Sequence, residues 1–444
     1  MKYKQLIKKH FETFFEYSKG DDMWISSVDA KTGVYPEDRN VKSMDDFMAE
    51  GCTLLPGKRA YRYIDAPHGS SMYWDQPLVP VAMLFNDEKV EKYFKSFLEN
   101  SIAKNNAFLW GNHFFYDLRQ KCAVSFKNDD MPIPVEESET ASFHEIRPIT
   151  PEWEMFWKFS PSKTEAHIRF METEHMFDDD GGFNRHADRK AACAFLEAGG
   201  IIAETLAWLY GKTGDEVLKD KALKVARYSW QNRNTELDLL ENNPTHTRWD
   251  KLTATSEVGL WAECLLKAGE YTGEAEFETL AQKAVLGFLK QSYDEKTEQF
   301  FGRIEVATGE PIMGDRTTLY QPKEYADPWE FVFPAHDYFL SLAQVTLDMY
   351  KKTGDENFGK YIKKFANVIM STYQKSEILY AEQLGRAIMF LQSAGYEEAA
   401  KELAEFSVEQ LWQGDMFATH TGDSIYSAVD GPGFLFKALL SLEQ

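Results

Sequence analysis

Three short stretches gather the side chains able to move protons and hold anions. "FNRHAD" (183–188) supplies Asn184, Arg185 and His186, and "WGNHFFYDLR" (110–119) supplies Asn112, His113, Tyr116, Asp117 and Arg119. "FHEIRP" (143–148) adds His144, Glu145 and Arg147. Taking a proton from carbon beside a carboxylate needs a cation on the carboxylate, a base for the proton and an acid for the leaving group. His186 is the base in this set, Tyr116 the acid and Arg147 or Arg185 the clamp, with Asn184 and His113 completing it. The same groups could instead tie long loops together, through pairs such as Glu145–Arg147 and Arg185–Asp188.

His113, Glu145 and His186 also form a mixed nitrogen and oxygen donor set suited to a divalent metal ion, although their spacing lacks the compactness of an HExxH helix. Hydrolysis would need two carboxylates flanking the scissile bond. "WDQP" and "RWDK" each set an acid beside tryptophan, where desolvation can raise a carboxyl pKa, so Asp75 and Asp250 are the candidates. Each also suits a helix cap. Trp74, Trp110, Trp153, Trp157, Trp249 and Trp329 lie in or beside long loops and could stack on sugar rings, whereas Trp208, Trp230 and Trp261 follow helical patterns and belong to the core. Nucleotide-binding glycine fingerprints and the GxSxG elbow are missing, so a metal ion is the one cofactor considered.

Composition narrows the partners. The chain has 444 residues and a formal net charge of -22, from 71 acidic against 49 basic residues. A field of that sign opposes nucleic acid and anionic membranes. Apolar residues are 43% and aromatic residues 14% of the chain, a high aromatic share. Cys52, Cys122, Cys193 and Cys264 are widely spaced, which points to buried free thiols. Taken as a natural start, the N-terminus has no secretory leader, so the expectation is cytoplasmic; a trimmed chain would be periplasmic or secreted.

The elements that must position these groups are amphipathic helices. A joint recurs: a helix closes on tyrosine, then glycine and an acidic residue, and another helix starts. It stands in "WLYGKTGDEVLKDKA" (208–222), "GEYTGEAEFETLA" (269–281) and "MYKKTGDENFGKYI" (349–362). Glycine can take the left-handed conformation that closes a helix, and an acid favours the positive start of the next. Links in the other direction are long and hold most of the histidine and tryptophan. Tight joints at one end and long loops at the other predict an all-α (α/α)6-type toroid, a barrel of helical hairpins spanning 1–444 as a single domain. Its long loops gather at one face.

With "SSMYWDQP" (70–77), the three stretches above and "SIYSAVDGPGFLFKALLSL" (424–442), the chain resembles six-hairpin carbohydrate-active enzymes, most of all pectate-lyase-like bacterial proteins. The resemblance implies an oligosaccharide substrate and β-elimination at a 4-linked uronate, a lyase activity. A six-hairpin glycoside hydrolase using two loop carboxylates is the alternative, and a non-catalytic sugar-binding protein is another. Fold resemblance does not choose among them.

Overall fold

The computed structural model describes residues 2–19, 22–35, 66, 68–125, 133–245, 250–316, 321–330 and 338–443. In chain order the α-helices are α1 (Lys2–Tyr17), α2 (Val79–Met83), α3 (Asp87–Asn100), α4 (Thr140–Phe143), α5 (Trp153–Phe159), α6 (Pro161–Glu174), α7 (Leu196–Thr213) and α8 (Glu216–Gln231). They continue as α9 (Val258–Thr272), α10 (Ala275–Ser292), α11 (Phe339–Thr353), α12 (Glu356–Thr372), α13 (Ala381–Ser393), α14 (Glu397–Leu411) and α15 (Pro432–Ser441). The chain divides into two compact units. The first comprises Met1–Glu145, Pro151–His167 and Lys375–Gln444, and the second Ile146–Thr150 and Ile168–Gln374.

The second unit is three helical hairpins, α7–α8, α9–α10 and α11–α12. Helices α7, α9 and α11 pack side by side, and each carries a long run of buried residues; in α7 the run is unbroken from Leu196 to Leu209. Their partners α8, α10 and α12 bury only one stripe, such as Leu218, Ala222, Val225 and Ser229 of α8, and turn charged residues outward. The joints form as their sequence predicts. Gly214, Gly273 and Gly354 take φ of 70°, 72° and 68°, closing α7, α9 and α11. Asp215 and Asp355 then cap the following helices by accepting from the N–H groups of Val217 and Asn357. In two joints the tyrosine closes the strap, Tyr210 donating to Glu216 and Tyr350 to Glu356, both at 3.2 Å.

Glycine also sets how closely the buried helices approach. A Cβ placed on Gly259 of α9 would lie 2.5 Å from the Cα of Leu342 in α11, and one on Gly200 of α7 would lie 2.9 Å from the Cα of Trp261 in α9. No side chain fits at such distances.

The first unit uses the same device. A Cβ on Gly385 of α13 would meet the backbone N of Leu435 in α15 at 2.3 Å. Helix α1 packs on α15, and His10 lies buried among Phe11, Phe14 and Phe436, its Nδ1 accepting from the N–H of Phe417. Two features of this unit depart from a purely helical expectation. Residues Gly69–Ser70, Phe114–Asp117, Cys122–Ser125 and Ile133–Pro134 pair as a four-stranded antiparallel sheet, and Ser27–Asp29 pairs with Ile425–Ser427. These strands are too short for an alternation signal to show against long helical periodicity. Cys264 is buried, whereas Cys122 and Cys193 are only half-buried; none of the three is in a disulfide, and Cys52 lies outside the described residues. No helix among the described residues is long and apolar enough to cross a membrane.

The close approach is testable. Gly259→Ala forces α9 and α11 apart and is expected to cost about 1–3 kcal/mol. Gly211→Ala, whose Cβ would meet its nearest neighbour at an ordinary 3.7 Å, is expected to be neutral or stabilising. Thermal denaturation of the two variants checks the pair; equal melting temperatures would refute the packing argument.

Candidate functional site

The second unit concentrates polar groups at the heads of its three buried helices. Glu197 opens α7, Glu257 caps α9 and Tyr338 caps α11. All three are buried, as are Arg147, Asn242 and Asp250. The Glu197 carboxylate faces the Arg147 Nη1 at 3.5 Å and the Arg185 Nη1 at 3.9 Å, and it accepts a short hydrogen bond from the Tyr338 hydroxyl. The N–H of Glu197 donates to Glu257 Oε1 at 2.8 Å, an α7 donor satisfied by the α9 cap. Glu257 Oε2 accepts from Asn242 Nδ2 at 2.8 Å, and Asn242 Oδ1 accepts from Thr255 at 2.8 Å.

Burial governs the protonation of this network. It pushes the Glu257 carboxyl up to about 7, with the charge of Asp250 adding to the rise, against hydrogen bonds from Glu197 and Asn242 and the charge of Arg185. Burial, then the charges of Glu197 and Glu257, lift the Tyr338 phenol well above its ordinary range, so it stays a donor.

Arg185 and His186 sit on the 183–188 loop of the same unit and are half-buried, the part of this group that retains access to solvent. The loop is held by Asn184, whose side chain accepts from the N–H groups of His186 and Cys193 and donates to Asp188. Asn184 is fully buried and acts as the staple of the loop. The Arg185 guanidinium lies over the Phe195 ring at 4.7 Å. Behind the loop, His175 is buried with Nδ1 on the Asn184 carbonyl, and burial holds it down at about 4, so it is a neutral packing residue.

In the first unit, His113 Nε2 lies 3.3 Å from Glu145 Oε2, which also accepts from Asn112 Nδ2 at 2.7 Å. These residues have donor types able to hold a divalent cation. His186, the third ligand expected of that set, belongs to the other unit. Tyr116 lies on the Phe114–Asp117 strand with 8% of its surface exposed.

Asp75 is fully buried, and its Oδ2 accepts from the Tyr93 hydroxyl at 2.6 Å. Burial drives its carboxyl up to about 8, against the pull of that hydrogen bond. Trp74, its neighbour in the chain, donates its Nε1–H to the carbonyl of Gly111.

The loop tryptophans are largely structural, which corrects the stacking expectation for four of them. Trp74, Trp110, Trp153 and Trp329 are all buried. Trp110 and Trp153 pack with Phe156 and His167, while Trp329 donates to Thr372 and meets Tyr373 edge-on. Large rings at loop–helix junctions fill space that aliphatic side chains cannot. Trp157 is half-buried, and Trp249 lies outside the described residues.

The residues missed in sequence are Glu197, Glu257, Asn242 and Tyr338. "FLEAGGIIAETLAWLYG" (195–211) did carry a signal: two glutamates seven apart inside an otherwise apolar helix, a pattern expected only where the acids have buried partners.

No protein-family model matches the chain, and no curated protein matches it. Solved structures do. A D-mannose isomerase aligns over 99% of this chain and 97% of its own, at 11% sequence identity and a TM-score of 0.51. An α-1,6-mannanase from Salegentibacter sp. HEL1_6 aligns over 79% of this chain and 97% of its own, at 11% identity and a TM-score of 0.44. An unsaturated glucuronyl hydrolase from Bacillus sp. GL1 covers 66% and 84%, at 12% identity and a TM-score of 0.43. The first likeness shows the fold, an all-α (α/α)6 toroid. At such identity it concerns the fold alone.

Asp75 gives a pH prediction. A carboxyl raised on folding adds stability that is complete below its unfolded pKa and is lost as pH rises through about 8. The unfolding free energy of the protein should therefore fall relative to that of Asp75→Asn between pH 5 and pH 8, by on the order of a few kcal/mol, which denaturation of both across that range measures. Parallel curves for the two proteins would contradict a neutral, buried Asp75.

Proposed function

We propose that this chain is a carbohydrate-active enzyme that takes a carbon-bound proton from an oligosaccharide, in the manner of β-elimination at a 4-linked uronate. The observation carrying this reading is the arrangement of Arg147, Arg185 and Tyr338 around Glu197, with half-buried Arg185 and His186 adjacent on one stapled loop. Arg185, braced from behind by Glu197, offers its guanidinium to the substrate carboxylate and spreads the charge that develops as the neighbouring C–H bond breaks. His186 takes the C5 proton. The electron pair of that bond forms the C4=C5 double bond, the C4–O bond breaks, and the leaving oxygen takes a proton from water. The same abstraction beside a carbonyl starts an aldose–ketose isomerisation, which is the activity in the name of the solved D-mannose isomerase.

Hydrolysis is the second reading, favoured by Glu257. A carboxyl at about 7 is a proton donor at neutral pH, and Glu197 is a second acidic residue in the same network.

One panel separates these. The protein is incubated with uronans, neutral oligosaccharides and free aldoses, in ordinary and heavy water. Elimination gives the ultraviolet absorbance of an unsaturated uronide; isomerisation gives a ketose carrying solvent deuterium; hydrolysis gives saturated reducing ends. We expect unsaturated product, with His186→Gln and Arg185→Lys lowering kcat/KM by about 100-fold or more at unchanged melting temperature. Reducing ends without unsaturated product would replace elimination by hydrolysis, and no product with any sugar would leave a binding protein.

A further inference from the structure

The first unit holds a polar group that the mechanism above does not use. Gln383 stands in the first turn of α13 with 2% of its surface exposed. Neither its Nε2 nor its Oε1 has a hydrogen-bond partner among the described residues. A buried primary amide can make several hydrogen bonds, and leaving all of them unmade is costly. On the helix, Gln383 stands among buried Ala381, Glu382, Leu384 and Gly385.

The segment beside this turn is built from polar groups. The N–H of Ala381 donates to the Thr419 carbonyl at 2.8 Å, and Tyr380 bridges to His420. His420 is buried, with Nδ1 3.0 Å from Asp430 Oδ2 and Nε2 3.1 Å from Asp423 Oδ1. Asp430 Oδ2 also accepts from the Thr419 hydroxyl at 2.7 Å. Gly431 brings this segment onto the helix: a Cβ there would lie 2.8 Å from the Cβ of Glu382. Residues 380–382, which lead into and open α13, thus contact the segment whose histidine lies between two carboxylates.

We propose that Gln383 is a sugar-recognition residue, its amide reserved for a pair of neighbouring hydroxyls at the head of α13. The amide matches that ligand: Oε1 accepts from one hydroxyl while Nε2 donates to the next. This deepens the sugar reading above and rests on it. An apolar residue of similar shape at 383 removes the cost of the buried amide in the free protein, and removes the bonds to the ligand with it.

The test is thermal denaturation of the full chain and of Gln383→Leu and Gln383→Met, alone and with rising D-mannose or D-glucuronate. For the unmutated chain, we expect the melting temperature to rise with one of these sugars. For the variants, we expect a higher melting temperature without sugar, with sugar affinity lowered on the order of tenfold or more. If both variants melt lower than the parent without sugar, the amide is tied into the fold through buried water and the proposal fails. Unchanged sugar affinity in the variants overturns it while leaving the sugar reading intact. A parent chain that neither sugar stabilises overturns this proposal; the product panel then decides the sugar reading by itself.

Discussion

Backbone-to-backbone contact between buried helices is the constraint on which the rest of the second unit depends. Gly200 and Gly259 let α7, α9 and α11 approach until no Cβ fits between them. At that separation the heads of the helices are close enough for the Glu257 side chain to take the N–H of Glu197. The polar network therefore follows from the packing. Wider spacing would leave the α7 donor unsatisfied in an apolar interior, at the cost of a lost hydrogen bond.

The network is also an electrostatic arrangement that the bulk charge would not suggest. The chain carries a formal net charge of -22, yet its buried group sets Arg147 and Arg185 around Glu197. A carboxylate without those guanidiniums would bear most of its desolvation cost, and the guanidiniums without it would do the same. Glu257 meets the cost in another way, by hydrogen bonds and a raised affinity for its proton. Two glutamates opening adjacent helices thus reach different electrostatic solutions, one by pairing with cations and one by approaching neutrality.

Much of this was legible in the chain and some was not, for physical reasons. The joints were readable because helix closure is local: a glycine and the aspartate directly after it decide it, as at Gly214–Asp215 and Gly354–Asp355. Arg147 and Arg185 were readable as chemically able groups. Their shared partner Glu197 was not, since residues 50 positions from Arg147 meet only through tertiary packing. The tryptophans misled for a related reason. Composition says that a ring sits in a loop, whereas only packing says whether its face is covered, and for Trp110, Trp153 and Trp329 it is. The short strands around Phe114–Asp117 were hidden because each holds too few residues to show a period.

The strapped joints carry a consequence for how such a chain can change over time. Each of the α7–α8 and α11–α12 hairpins is closed by its own glycine, aspartate cap and tyrosine-to-glutamate bond, all within seven residues of sequence from Tyr210 to Glu216 and from Tyr350 to Glu356. Nothing in that closure depends on what the opposite ends of the helices carry. Residues such as Glu197, in the first turn of α7, and Glu257 and Tyr338, at capping positions, stand where a new side chain alters polarity without altering helix length or register. A lineage can therefore exchange its chemistry one helix head at a time while the hairpins keep folding as before. That is one physical route by which a single fold comes to serve unrelated reactions.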